Sequence, residues 1–189
     1  MADHHDEVRD ALARGDDDLA FALVTREHGR AIYTRCLDVL RDPGLAEDAL
    51  QETLVKAFRR RDQLASVARL RGWLLRIATR TALDAWRGER RHARRLERMR
   101  HDGDDGDEAA SMMPIATADD RRREHAALRA ALGELDAETR AAVLLRLQDD
   151  AAWEEIAAAT GLPVDTIRMR VQRALPGLQA FLARQGVEP

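Results

Sequence analysis

The chain has 189 residues, of which 45% are hydrophobic, 34% charged and only 4% aromatic, and its net charge is −3. One cysteine excludes an intramolecular disulfide, and no apolar run approaches the roughly 20 residues that a membrane helix needs. The first 18 residues are polar and unlike a signal peptide. These features predict a soluble, cytoplasmic protein, and the dominance of Ala, Leu, Arg, Asp and Glu predicts an all-α fold.

Basic charge is concentrated in one block of the chain. Residues 54–100 carry 15 basic and 4 acidic side chains, whereas residues 101–120 carry 7 acidic side chains and no basic one. Such a block is typical of a surface that faces phosphates, although a solvated, salt-bridged helical face has the same composition. Charge alone leaves both interpretations open.

The first 100 residues predict a helical domain. An apolar face is expected at Leu19, Leu23, Val24, Ile32, Cys36, Leu37 and Leu40. We expect Cys36 to be a small buried residue. Asp42-Pro43-Gly44 ends this helix, and the next has apolar residues three and four apart, at Leu45, Ala49, Leu50, Leu54, Ala57 and Phe58.

A polar face accompanies that second apolar stripe. Asp48, Gln51 and Glu52 are three and four residues apart, so they share one side of the helix, opposite Leu50 and Leu54. An acidic face on a stable helix suits a basic protein partner, and plain solvation is the alternative.

A third helix follows a loop from Asp62 to Ala68. Its predicted buried stripe is Leu70, Trp73, Leu74, Ile77, Ala78 and Thr81. Phosphate-binding charge is expected from Arg76, Arg80, Arg87, Arg90 and Arg91. Trp73 and Trp86 lie near these arginines and allow stacking on unpaired bases.

Residues 101–120 predict a flexible acidic linker. The segment has seven carboxylates, small residues, glycine and proline, and no apolar stripe that could form a core. The chain therefore divides into an N-terminal domain, 1–100, the linker, 101–120, and a C-terminal domain, 121–189.

The C-terminal domain is expected to hold four short helices, with Asp136 as an N-cap. The last two form a corner within AWEEIAAATGLPVDTIRMRVQRAL, where Gly161 permits a positive φ. Ile167 and Val171 face the core, which leaves an outward side at Arg168, Met169, Gln172 and Arg173. A recognition helix would place such residues at base edges, and a generic helical corner is the alternative.

No sequence pattern of similar strength indicates a catalytic or metal-binding site. His4 and His5 are adjacent at a chain end, which is weak evidence for a metal site, and no phosphate-binding glycine loop or nucleophile elbow occurs. We predict that the chain is not an enzyme and uses no metal or cofactor.

The chain resembles the extracytoplasmic function, or group IV, sigma factors of bacterial RNA polymerase. LAEDALQETLVKAF and RGWLLRIATRTALDAWR are similar to their region 2, and ETRAAVLLRLQDDAAWEEIAAATGLPVDTIRMRVQRA is similar to their region 4. The resemblance spans about Ala20 to Phe181, in family order. It implies two small helical domains that direct promoter-specific transcription initiation without enzymatic activity.

The resemblance also implies contact residues and partners. Asp48, Gln51 and Glu52 would bind the coiled coil of the β′ clamp of core RNA polymerase, and the second domain would pack on the β flap. The minus-10 element would be melted and bound by Lys56, Arg59, Trp73, Arg76, Arg80 and Arg87, with the loop Asp62 to Arg69. The minus-35 element would be read by Thr166, Arg168, Met169, Gln172 and Arg173. The acidic linker would follow the basic RNA-exit path.

Several positions depart from the family pattern. Thr79-Arg80 stands where Arg-Asn is common, Met169 replaces a small serine, and Pro176 is expected to break the last helix. Zero net charge in the second domain predicts weak autonomous DNA binding. An anti-sigma factor is a further candidate partner. A helix-turn-helix regulator without polymerase and a sigma mimic that sequesters an anti-sigma factor are the alternatives.

Overall fold

A computed structural model describes residues 4–64, 69–100 and 120–184 of the chain. Within these ranges, regular structure consists of α-helices and one 3-10 turn at Arg61–Gln63, which confirms the all-α class. The helices are α1 (His4–Ala13), α2 (Asp17–Leu40), α3 (Pro43–Arg59), α4 (Leu70–Arg100), α5 (Asp120–Gly133), α6 (Ala137–Gln148), α7 (Trp153–Thr160) and α8 (Val164–Arg184). None of them is long and apolar enough to cross a membrane. Almost all of the predicted linker lies outside the described residues, and the domain boundaries stay a prediction.

Side-chain caps mark where helices α2 and α3 begin. Asp16 accepts a 3.1 Å hydrogen bond from the backbone N–H of Leu19, and Asp42 accepts one of 2.8 Å from that of Leu45. Pro43 occupies the first turn of α3, where its missing N–H costs nothing. Asp42-Pro43-Gly44 therefore both ends α2 and starts α3. Helix α3 begins at Pro43, two residues before the predicted start at Leu45.

Two details of the first half differ from expectation. Helix α1 was not predicted, yet its Val8 and Ala11 are 1% and 0% exposed against α2. Leu19 was predicted to join the apolar face but is 39% exposed, because it lies in the first turn of α2, at the edge of the bundle. The rest of the predicted apolar face of α2 is buried or half-buried, with Cys36 fully buried.

The second half contains the four predicted helices, although α8 is 21 residues long rather than short. Asp136 caps α6 as predicted, accepting a 3.0 Å bond from the N–H of Thr139. The expected break at Pro176 was wrong, since α8 continues through it. Because proline has no N–H, the carbonyl of Gln172 lacks its usual partner in the helix. Gln172 and Pro176 are both exposed, so water can bind this carbonyl. Leu178, two residues after Pro176, is buried and holds the last turns of α8 against the core.

The two halves pack directly on each other. Helices α2 and α4 of the first half contact α6 of the second, and α4 also contacts α7. Buried residues from both halves form one continuous apolar cluster. The helix-turn-helix formed by α7 and α8 is thus seated beside the arginine-rich helix α4.

Candidate nucleic-acid interface

The acidic face of α3 lies outside the core. Ala49 and Leu54 are 2% and 7% exposed, whereas Asp48, Gln51 and Glu52 are all exposed. The hydroxyl of Thr53 donates a 2.6 Å bond to the carbonyl of Ala49 on the buried side. The helix therefore packs on its apolar side, and its polar side faces solvent.

Lys56 joins the α3 face to helix α4. Its ammonium is 2.9 Å from a carboxylate oxygen of Glu52 and donates a 3.3 Å hydrogen bond to the hydroxyl of Thr81. The structure thus brings one predicted minus-10 residue next to one predicted polymerase-binding residue. Arg59, one turn further along, is exposed.

Helix α4 buries one side and presents arginines on the other. Leu74 and Ala78 are 1% and 0% exposed, and Trp73 packs half-buried at the edge of the core. Arg80 is exposed, and so are Arg90 and Arg91, with the Arg90 guanidinium 4.9 Å from the ring centre of Trp86. An exposed row of guanidiniums on a rigid helix can bind phosphates without reading sequence.

Two of the predicted minus-10 arginines contact the second half of the chain. Arg76 is 3.3 Å from a carboxylate oxygen of Glu155 on α7. Arg87 is 3.0 Å from a carboxylate oxygen of Glu138 on α6 and also donates a hydrogen bond to the carbonyl of Thr160. Sequence reasoning missed both contacts.

The corner between α7 and α8 has the predicted geometry. Gly161 has a φ of 69°, and its N–H donates a 2.8 Å bond to the carbonyl of Ala157. Ile156, Ile167 and Val171 are no more than 1% exposed and fix α8 against α7. The corner is therefore a well-packed helix-turn-helix.

The predicted base-reading residues lie on the outer side of α8. Gln172 and Arg173 are exposed, Met169 is 51% exposed and Thr166 is half-buried. A guanidinium nitrogen of Arg173 is 3.9 Å from the Met169 sulfur. The Arg168 guanidinium is 5.6 Å from the ring centre of Trp153, a cation–π contact that holds it against α7.

Arg170, in the same helix, has a different environment. Its guanidinium lies 3.3 Å from Glu138 and 3.5 Å from Asp136, so it ties α8 to the start of α6. Burial alone would raise the pKa of Asp136, but hydrogen bonds from Thr139 and the nearby Arg170 lower it below its ordinary value. Glu138 therefore bridges a helix-turn-helix arginine and Arg87 of α4.

A buried ion pair joins the two halves. The Arg35 guanidinium on α2 donates hydrogen bonds of 2.7 and 3.1 Å to the two carboxylate oxygens of Asp149, and both side chains are 3% exposed. Arg35 also donates to the Gln148 side chain at 3.0 Å and to the Thr79 hydroxyl at 3.2 Å. Arg35 follows Ile32 by three residues and so lies on the apolar face of α2. This spacing could have predicted from the sequence that the Arg35 charge is buried.

Thr79, one of the departures from the family pattern, is fully buried. Its hydroxyl donates a 2.9 Å bond to the Leu75 carbonyl and accepts the bond from Arg35. It is therefore part of the packing between the halves and does not lie on the arginine face of α4.

Burial also shifts the pKa of the Cys36 thiol and of the Arg140 guanidinium. It raises the pKa of the Cys36 thiol from 9.0 to about 12. Burial, helped by the nearby Arg41, lowers the pKa of Arg140 from 12.5 to about 10. Among the described residues no cluster of three or more His, Cys, Asp or Glu could hold a metal ion.

Comparisons with known proteins match both halves to one family. Residues 24–92 match the family model for Sigma-70 region 2, and residues 125–175 match that for Sigma-70, region 4. The ECF RNA polymerase sigma factor SigE of Mycolicibacterium smegmatis is 34% identical, over 87% of this chain and 62% of its own length. The RNA polymerase sigma factor CarQ of Myxococcus xanthus is 30% identical, over 89% of this chain and 92% of its own length. The chain thus spans less than two thirds of SigE but nearly all of CarQ.

A solved structure shows the same fold. The sigma factor RpoE of Bartonella quintana, crystallised with the anti-sigma factor NepR, has a TM-score of 0.55 and 24% identity, over 86% of this chain and 96% of that one.

Proposed function

The chain belongs to the extracytoplasmic function group of RNA polymerase sigma factors, which direct promoter-specific transcription initiation, and from that premise we propose a division of labour among three of its surfaces. The face Asp48, Gln51 and Glu52 binds the β′ clamp of core polymerase. The α4 arginines, with Lys56, Arg59 and Trp73, hold the melted minus-10 element. The outer side of α8 reads the minus-35 element in the major groove, while α5–α8 also contact the β flap. The chain acts as a cytoplasmic binding factor.

The observation that carries this proposal is that each of the three surfaces lies on the outer side of a helix whose other side forms the core, with Arg76 and Arg87 of the α4 surface ion-paired to α7 and α6. Unpaired bases and backbone phosphates of a melted strand require guanidiniums and aromatic rings, both present on and beside α4. Exposed side chains on the second helix of a helix-turn-helix can reach base edges. Solvent exposure of Asp48, Gln51 and Glu52 supports a role for them in binding another protein.

Core binding tests the first surface. Asp48→Arg/Glu52→Arg should abolish co-elution with purified core polymerase on size exclusion, because it reverses the charge of the face without touching the core. The matched control is Asp10→Arg/Glu134→Arg, which changes net charge equally at two other exposed positions. Equal core binding by both double variants would refute the assigned face.

An anti-sigma factor is a further proposed partner, supported by the complex in which the Bartonella relative was solved. Such a partner would lower transcription by a mixture of this chain and core polymerase. Two alternative functions would give different results when transcription and binding are measured. A sigma mimic would bind an anti-sigma factor and give no transcription. A helix-turn-helix regulator would bind duplex DNA without core polymerase.

A further inference from the structure

Met169 is a large apolar residue on the outward side of helix α8. It is 51% exposed, and among the large hydrophobic residues of the described ranges only Leu147, at 60%, is more exposed. Isolated exposed apolar residues are common on protein surfaces, so exposure alone assigns Met169 no role. Its direction is what distinguishes it. Successive helical residues are turned by roughly 100°, so Met169 lies nearly opposite the buried Ile167 and Val171 and points away from the core.

The arginines on either side of Met169 are held by contacts within the protein. The Arg168 guanidinium lies 5.6 Å from the centre of an aromatic ring of α7, and that of Arg170 lies 3.3 Å from a carboxylate oxygen of α6. Arg173, one turn after Met169, is exposed, and one of its guanidinium nitrogens is 3.9 Å from the Met169 sulfur. Met169 and Arg173 therefore form an outward pair, with an apolar group and a guanidinium side by side.

The chemistry of a thioether restricts which base Met169 can read. A thioether has no hydrogen to donate and its sulfur is a weak acceptor, so it discriminates poorly by hydrogen bonding. The bases present donors and acceptors in the major groove, and the C5-methyl of thymine is the only methyl group among them. A guanidinium recognises guanine through O6 and N7. The pair therefore fits a thymine close to a guanine.

The spacing of the two side chains along α8 limits the distance between these bases. Residues four apart are separated by about 6 Å along a helix axis. Two steps of B-form DNA cover about 6.8 Å, at roughly 3.4 Å each. A recognition helix contacts base edges with its N-terminal residues, and Met169 is the sixth residue of a helix that begins at Val164. The two bases should therefore lie at most two base pairs apart.

We propose that Met169 reads the C5-methyl group of a thymine in the minus-35 element, at most two base pairs from a guanine bound by Arg173. This role rests on the proposed function, because it assigns a base to one residue of the same minus-35 surface. The contact is favourable because the methyl group and the thioether both leave water when they pack together. Preference for thymine at this base pair then depends on an apolar contact and not on a hydrogen bond.

Uracil tests this contact because it lacks only the C5-methyl group of thymine and keeps the same base pairing. Core polymerase loaded with this chain is bound to a fluorescent fragment of a promoter from which it initiates. Each thymine of the minus-35 element, on either strand, is replaced in turn by deoxyuridine. At one position the replacement should weaken binding about fourfold, the change expected for the loss of one buried methyl group. An element without thymine, or one in which no replacement weakens binding, would overturn the proposal.

Variants of Met169 show whether this residue reads the methyl group. Met169→Gln should abolish the difference between thymine and uracil, because the side chain keeps its length but ends in a polar amide. Met169→Leu keeps an apolar end and should preserve the difference. Leu147→Gln is the matched control, since it makes the same kind of change at an exposed apolar residue of α6, and it should also preserve the difference. Circular dichroism should show unchanged helix content in all three variants.

The same measurements separate this role from the proposed function. If Met169→Gln discriminates thymine from uracil as strongly as wild type does, another residue reads the methyl group and the proposal fails. Tight promoter binding by the wild-type complex with no dependence on any methyl group would overturn the role of Met169 alone. Failure of the wild-type chain to bring core polymerase to any promoter would overturn the proposed function as well.

Discussion

The guanidinium of Arg140 on α6 donates a 2.6 Å hydrogen bond to the carbonyl of Val39, in the last turn of α2. The same side chain donates bonds of 2.8 and 2.6 Å to the carbonyls of Leu132 and Leu135, where α5 ends. Carbonyls at a helix C-terminus have no N–H partner within the helix. One arginine therefore satisfies the ends of two helices from different halves of the chain.

Arg140→Ala should lower the free energy of unfolding by about 3 kcal/mol, because several carbonyls near it lose a partner in a buried site. Chemical denaturation monitored by circular dichroism measures this change. Arg26→Ala is the control, since Arg26 is 64% exposed and its ion pair with Glu7 is worth at most about 1 kcal/mol. Similar losses for the two variants would show that the Arg140 hydrogen bonds add little.

Thr79→Val should destabilise the protein by about 1 kcal/mol, because it removes the hydroxyl shared by Leu75 and Arg35 while keeping the side-chain shape. Since Thr79 is buried away from the arginine face, promoter preference at the minus-10 element should not change. Comparing initiation on a set of minus-10 mutant templates tests this. An altered preference would mean that Thr79 contributes to base reading after all.

Cys36 should make stability depend on pH in the alkaline range. Its folded pKa of about 12 lies above the ordinary 9.0, so between these values the unfolded chain loses a proton that the folded chain keeps. The free energy of unfolding then falls as pH rises through this window. Cys36→Ala lacks this group, so the stability gap between wild type and variant should narrow from pH 8 to pH 10.5. A gap that does not vary with pH would contradict the shifted pKa.

Pro176→Ala should raise the free energy of unfolding by about 1–3 kcal/mol, because it restores an N–H inside the continuous helix α8 and removes a clash with the preceding turn. Thermal unfolding checks this prediction. If α8 instead ended at Pro176, alanine there would give no gain.

Arg173→Ala should weaken binding to the cognate minus-35 element by about 1–3 kcal/mol and reduce discrimination against a mutated element. The comparison is Gln179→Ala, an exposed position of α8 two turns further on. Footprinting of the polymerase complex on cognate and scrambled elements measures both effects. Equal loss on the two templates would indicate a phosphate contact in place of base reading.

Local patterns were sufficient to predict most helices. The cap at Asp136 and the positive φ of Gly161 each depend on residues adjacent in sequence, so the sequence could reveal them. Asp42 was interpreted only as part of a helix break, although it also caps α3. Helix α1 was missed because only Val8, Ala11 and Leu12 mark its apolar side in a polar segment. The effect of Pro176 was misjudged because helix continuation depends on the burial of Leu178, a tertiary contact.

Contacts between the halves could not be predicted in this way. Arg35 and Asp149 are 114 residues apart, and neither residue's local pattern names the other as its partner. The same holds for Arg87 with Glu138. Sequence periodicity identifies which side of a helix carries charge, but the partner of that charge follows from how the helices assemble.

Run-off transcription with purified core polymerase on genomic promoter fragments tests the central claim most directly. The wild-type chain should give starts at defined positions that core polymerase alone does not give, and Asp48→Arg/Glu52→Arg should abolish them while keeping its helix content. If the wild-type protein binds core polymerase but produces no specific start on any fragment, or never binds it, the account of this chain as an initiation factor is contradicted.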